Sequence, residues 1–172
     1  MYSEYGVGLM QLESPSGEEI RAYNYKTGQI DTEYITMDEA CDIIKNIKIG
    51  CMIFQNSLNY NNGNVLLAIQ SHNYGSGMTD LVLTCAYGNS DNIKDDYANY
   101  EWVEYMKDAL EKPWKFLPDW EESKYGDGNY FSNVLRFFPS DKVKYNYDGK
   151  RICLNLKTMK VESKIDLDSK IK

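Results

Sequence analysis

Three short segments hold side chains able to do chemistry on a polar substrate. "GVGLMQLES", residues 6 to 14, carries the amide of Gln11, the carboxylate of Glu13 and the hydroxyl of Ser14. "HNYGSG", residues 72 to 77, carries the single histidine, His72, then Asn73, Tyr74, Gly75 and Gly77. "KYGDGNY", residues 124 to 130, adds Tyr125 and Tyr130. Amides donate and accept hydrogen bonds, and aromatic planes stack on sugar rings. The chain has 15 Tyr, 3 Trp and 5 Phe, a content that also fits a tyrosine-rich core and surface. The four cysteines, Cys41, Cys51, Cys85 and Cys153, form no CxxC pair. With one histidine, that argues against a Cys/His zinc site, and no metal or cofactor is implied. A Cys–His nucleophile pair would have to use His72, and no spacing supports it. Cys41 and Cys51 lie among apolar residues and read as small buried hydrophobes, with disulfide pairing as the alternative.

Bulk properties narrow the classes further. The 172 residues suit one domain with a sizeable core. A formal charge of −7 argues against nucleic acid as the main partner, although it leaves anionic polymers open because local charge matters more. No apolar run is long enough to span a membrane. The N-terminus "MYSEYGVG" is no signal peptide, so action outside the cell would need another delivery route.

The elements that must position these groups follow from periodicity. Residues 1 to 35 read as mostly loop, with one short helical turn around Leu9 to Gln11. Thr36 with Glu39 forms a capping box. Apolar residues at Met37, Ala40, Cys41, Ile44, Ile47, Cys51, Phe54 and Leu58 then predict one long amphipathic helix. Gly50 within it costs stability and makes sense where another backbone packs close. Val65 to Gln70 reads as a short buried helix ended by the glycines at 75 and 77. "MTDLVLTCAYG" reads as a second, stopped by Gly88, and "YANYEWVEYMKDALEK" as a third, closed by Pro113. "NYFSNVLRFFP" is a fourth, capped by Asn129 or Asp127. Then Val143, Tyr145 and Tyr147 alternate, Asp148-Gly149 makes a type I′ turn, and Ile152, Leu154 and Leu156 alternate again, a β-hairpin. The final "SKIDLDSKIK" reads as polar and frayed. The fold class is mainly α (α+β), with residues 1–138 as a helical domain and 139–172 as β-hairpin and polar tail.

The order and distances of the segments resemble a known family. "GVGLMQLES", the "N-I-x-x-G" helix at Asn46, Ile47 and Gly50, the "A-x-x-x-H-N-Y-G" turn from Ala68, and "YGD…Y…VL" from Tyr125 to Leu135 occur together. This is similar to the lysozyme-like domains of the lytic transglycosylase and goose-type lysozyme superfamily, in the versions of Gram-positive phages and conjugative elements. The resemblance covers roughly residues 5 to 138. It implies a lysozyme-like helical fold acting on peptidoglycan glycan strands at the β-1,4 bond between N-acetylmuramic acid and N-acetylglucosamine, by hydrolysis or by intramolecular attack. It implies an extracellular, cell-wall or phage-virion location, with other domains or virion proteins as further partners; no nucleic acid is expected, from the charge above. A non-catalytic peptidoglycan-binding or virion structural module is the alternative from a different class.

Roles follow from the resemblance. Glycosidic cleavage needs an acid to protonate the leaving oxygen and a groove to position the sugars. Gln11 and Asn73 would bind sugar amide or hydroxyl groups, with Ser14 beside them, and Gly75 would let the backbone approach. Tyr74, Tyr125 and Tyr130 would stack on sugars or orient the acid; packing residues are the plain alternative for the tyrosines, and a helix C-cap for Asn73. His72 stands where tyrosine is usual beside the acid, and a charged imidazole there would lower the acid's pKa, against its role as donor. The family's glutamate sits on a helix upstream of GLMQ, whereas Glu4 is the only acid before Gly6. Glu13 with Ser14 repeats the letters "ES" after GLMQ, as a groove-wall carboxylate. Three explanations stay open: a C-terminal part of a longer enzyme, Glu4 or Glu13 as the acid, or a groove without activity.

Overall fold

Thr36 starts the first helix because its hydroxyl accepts from Glu39 N while the Glu39 carboxylate accepts from Thr36 N, the expected capping box. In the computed structural model, residues 6–12, 18–24, 27–88, 100–120, 126–158 and 160–167 are described, with the side chains of 18 and 100–105 excepted. The order is β1 (Glu18–Asn24), β2 (Gln29–Ile35), α1 (Met37–Cys41), α2 (Ile43–Tyr60), α3 (Val65–Tyr74), α4 (Ser76–Tyr87), α5 (Tyr100–Glu111), a 3-10 turn (Pro113–Lys115), α6 (Tyr130–Leu135), β3 (Lys142–Tyr147), β4 (Lys150–Asn155) and β5 (Lys160–Asp166). This is the α+β class, mainly helical, that the sequence predicts. Contacts divide the chain into two compact units, Met1–Asn56 and Ser57–Lys172. Among the described residues no helix is long and apolar enough to cross a membrane.

The first unit differs from expectation in three places. Residues 18–24 and 29–35 pair as antiparallel strands, not loop, with Ile20 opposite Glu33 and Ala22 opposite Asp31. The expected helix from Thr36 is broken at Asp42, whose backbone is extended (φ −74°, ψ 123°) and whose carboxylate accepts from Lys45 N to start α2. The break re-aims the helix face. Ile44 and Ile47 are exposed and Asn46 and Ile49 are buried, while Ala40, before the break, is buried as its place on the apolar face predicts. Cys41 and Cys51 are exposed free thiols, so the expectation that they are buried fails; Cys51 lies on the re-aimed α2, and Cys41 ends α1 before the break. The core of this unit is Leu12, Ile35, Ala40 and Ile49, flanked by Val7, Met10, Ile20 and Ile53.

The second unit follows the predicted helices more closely. Asn64 caps α3 by accepting from Leu66 N and Leu67 N. Gly75, at φ 78°, ends α3 with its N–H on Ser71 O and begins α4 without a gap. Gly88 closes α4 in the left-handed region. Helix α3 packs against α4 and α6, and α4 against α5. Asp148 (φ 48°) and Gly149 (φ 65°) form the predicted turn between β3 and β4. The tail is not frayed throughout: β5 adds a third strand through Asp166. One sheet face meets the turn before α3. Tyr145 Oη donates to Gly63 O (2.9 Å), and a Cβ at Gly63 would strike the Tyr147 ring.

Candidate active site

In the first unit the GLMQ segment is a closed turn. Val7 N donates to Leu12 O (2.9 Å), Leu12 N to Val7 O (3.0 Å) and Gln11 N to Gly8 O (3.2 Å). It is a bridged reverse turn rather than the helical turn expected at Leu9 to Gln11. Gly8 (φ 72°) suits its backbone, and Gln11 takes φ 50°, uncommon for a residue with a Cβ. The Gln11 amide donates back to Gly8 O (2.8 Å) and is exposed at the turn.

Asn46 on α2 fastens this turn. Its Oδ1 accepts from Met10 N (2.9 Å), and its Nδ2 donates to Val7 O (2.9 Å) and Ala40 O (2.9 Å). The residue is 1% exposed. One turn along the helix, Gly50 receives Met10, because a Cβ at Gly50 would overlap Met10 Cβ and Cγ. The close approach expected at Gly50 is therefore that of a side chain. The spacing Asn46 to Gly50 puts both on one helix face. Beside them, Lys45 and Lys48 hydrogen-bond the Glu33 carboxylate and hold its pKa down to about 2.

In the second unit the YGD segment is locked to the end of α3. Three donors converge on Asp127 O: Gln70 Nε2 (3.0 Å), Asn73 Nδ2 (3.0 Å) and Tyr130 N (3.1 Å). Gln70, fully buried, also accepts from Phe131 N through Oε1 (3.1 Å). The Asp127 carboxylate accepts from Asn129 N (2.8 Å) and Asn133 Nδ2 (3.1 Å), starting α6, while Asn129 makes no side-chain cap. Gly126, at φ 102°, passes so near Asn73 that a Cβ would lie 2.7 Å from its Nδ2.

The expected site residues fall into three groups. His72, Asn73, Tyr74, Gly75 and Tyr130 belong to the second unit, where Asn73 Nδ2 and Tyr130 N donate to Asp127 O. Gln11 belongs to the first unit. Glu4, Glu13, Ser14 and Tyr125 lie outside the described residues. Asn73 clamps the loop, and the α3 C-cap is Gly75 instead. Tyr74 is a buried residue whose hydroxyl donates to Leu110 O (2.8 Å) and whose ring meets Trp120 edge-on at 5.0 Å, which leaves no open face for a sugar. Gly75 has open space where a Cβ would point. The His72 ring lies 6.4 Å from that of Tyr130, whose hydroxyl pKa is raised by burial. Gln70 and Asp127 organise this end of the unit and were not among the expected site residues. The signal was a lone glutamine inside the apolar run "VLLAIQS", where a polar side chain must find buried partners. Among the described residues, no group of three His, Cys, Asp or Glu side chains could hold a metal ion.

The described fold is lysozyme-like in class, a helical body with small antiparallel sheets. A model of the transglycosylase SLT domain matches residues 3–93, just over half of the chain, and the protein belongs to that family of peptidoglycan-cleaving lytic transglycosylases. The match holds the GLMQ turn, Asn46, Gly50 and the HNYG turn, and the YGD segment lies beyond it. No curated protein and no solved structure matches the chain.

Proposed function

We propose that this protein cleaves peptidoglycan glycan strands at the β-1,4 bond between N-acetylmuramic acid and N-acetylglucosamine, at the cell wall of a Gram-positive host and in a phage or conjugative-element setting. The observation that carries this reading is the Gln11 amide displayed on a turn that Asn46 and Gly50 hold in one geometry. Cleavage relies on sugars fixed relative to the acid, and a rigid polar turn supplies such a contact. Glu4 and Glu13 flank the turn in sequence and are the candidates for general acid. In the second unit, Asn73 holds the Asp127 loop, and the His72 ring on α3 lies 6.4 Å from that of Tyr130 at the start of α6.

The test is digestion of purified Gram-positive peptidoglycan followed by mass spectrometry of the released fragments. Anhydro-muramyl products mean intramolecular attack, and reducing muramyl products mean hydrolysis. Glu4→Gln and Glu13→Gln then locate the acid, since loss of a general acid slows the reaction by roughly 100-fold to 10,000-fold. Retained binding to the same peptidoglycan without release would overturn the enzymatic reading in favour of a wall-binding or virion structural module.

A further inference from the structure

The acidic chain is not uniformly acidic. Residues 139–172 hold nine Lys and Arg against five Asp and Glu, a net +4, while residues 1–138 hold 10 against 21, a net −11; together they make the −7 of the whole. Four of these nine, Lys142, Lys144, Arg151 and Lys160, lie on one face of the three-stranded sheet. Side chains alternate across a strand, and directly paired residues share a face. Lys142 pairs with Asn155 and Asn155 with Lys160; Lys144 pairs with Cys153; Arg151 pairs with Asn146. These residues share the face opposite Tyr145 and Tyr147, which meet Gly63. Lys142, Lys144, Arg151 and Lys160 are all exposed. The acid among them, Glu162, stands at the register shift between Cys153 and Leu154 and pairs with Lys142 (2.6 Å).

We propose that this sheet face is a docking surface for a linear polyanion of repeating phosphodiesters borne on the wall glycan. The proposal rests on the peptidoglycan reading above. The remainder of the chain carries a net −11, so its summed field opposes such a polymer and the sheet face is the basic surface that complements it. The face is otherwise polar, with Asn146, Asn155 and Ser163, and Ile165 is its exposed large apolar residue, which is little to insert into a lipid surface. Its tyrosines are turned to the opposite face, so it has no ring on which nucleic-acid bases could stack.

The experiment is co-sedimentation of the full chain with Gram-positive sacculi that either keep their polyglycerol-phosphate chains or have been stripped of them, across a salt series. Binding to the polymer-bearing sacculi should fall with salt, and stripped sacculi should bind more weakly. A phosphate contact on a flexible polyanion contributes about 0.7 to the slope of log affinity against log salt, so losing two contacts weakens binding about tenfold at 0.15 M salt. Lys144→Glu with Arg151→Glu should show at least that loss. Lys150→Glu with Lys164→Glu, an equal charge change on the opposite face, should bind like wild type. Equal binding to stripped sacculi, equal loss from both pairs, or preference for anionic phospholipid vesicles or duplex DNA would overturn the proposal. Fragment release from stripped sacculi is read separately: its absence from wild type alongside intact polymer binding would refute the enzymatic reading and leave this one standing.

Discussion

Removing the side chain of Asn46 tests how the GLMQ turn is built. Asn46→Ala deletes three hydrogen bonds of 2.9 Å at a site 1% exposed and leaves Met10 N without its side-chain acceptor. A typical net bond is worth about 1 kcal/mol, and an orphaned buried group costs up to about 3 kcal/mol, so the expected loss is roughly 3 kcal/mol. Asn46→Asp separates donors from acceptor. It keeps an oxygen for Met10 N and places a carboxylate against the carbonyls of Val7 and Ala40. We expect it to be at least as damaging as Asn46→Ala at neutral pH and to recover on acidification, as protonation restores a donor. Urea denaturation reads the loss, and hydrogen exchange at Met10 N reads the turn itself. A change below about 1 kcal/mol with Met10 N still protected would mean that the turn holds itself and the reasoning is wrong.

Two further predictions concern the loop clamp and the ion pair. Gly126→Ala should destabilise the second unit by about 1 to 3 kcal/mol, because φ 102° is strained for a residue with a Cβ and the methyl meets Asn73; a melting temperature equal to wild type would exclude that contact. For Glu33→Gln, the folded pKa of about 2 lies below the ordinary 4.5, so the carboxylate's contribution is full above 4.5 and lost as pH falls through about 2. The difference in urea midpoint between variant and wild type should therefore be present at pH 7 and shrink across that window, and a difference constant with pH would contradict the Lys45 and Lys48 contacts.

What the sequence made legible was punctuation. Gly75, Gly88 and Asp148-Gly149 fall where the chain turns, because positive φ is a demand few residues besides glycine, asparagine and aspartate meet. The first hairpin escaped because its inward face is mixed. Ile20, Ala22 and Ile35 share that face with Asp31 and Glu33, and Glu33 is tolerated there only because α2 brings Lys45 and Lys48 to it. Such a strand has no apolar alternation to read. The break at Asp42 escaped because the apolar spacing runs on through Ile44 and Ile47 while the burial does not. In the candidate site, the letters of the motif were legible but not their mechanics. Asn46 and Gly50 appear as matches, and their partners in the GLMQ turn, 36 or more residues away, become visible only once the chain is folded.

The joint at Gly75 has a kinetic consequence. Since one residue ends α3 and begins α4, contacts between them close very short loops, such as Ser71 Oγ to Thr79 Oγ1 across eight residues. The Gln70 contact with Asp127 closes 57 residues. Loop-closure entropy makes the longer contact about 1.7 kcal/mol more costly to form first. The α3–α4 corner therefore assembles early, and the Asp127 segment settles onto a helix end that already exists. Substitutions at Asp127 should then speed unfolding, whereas those inside the corner should slow folding.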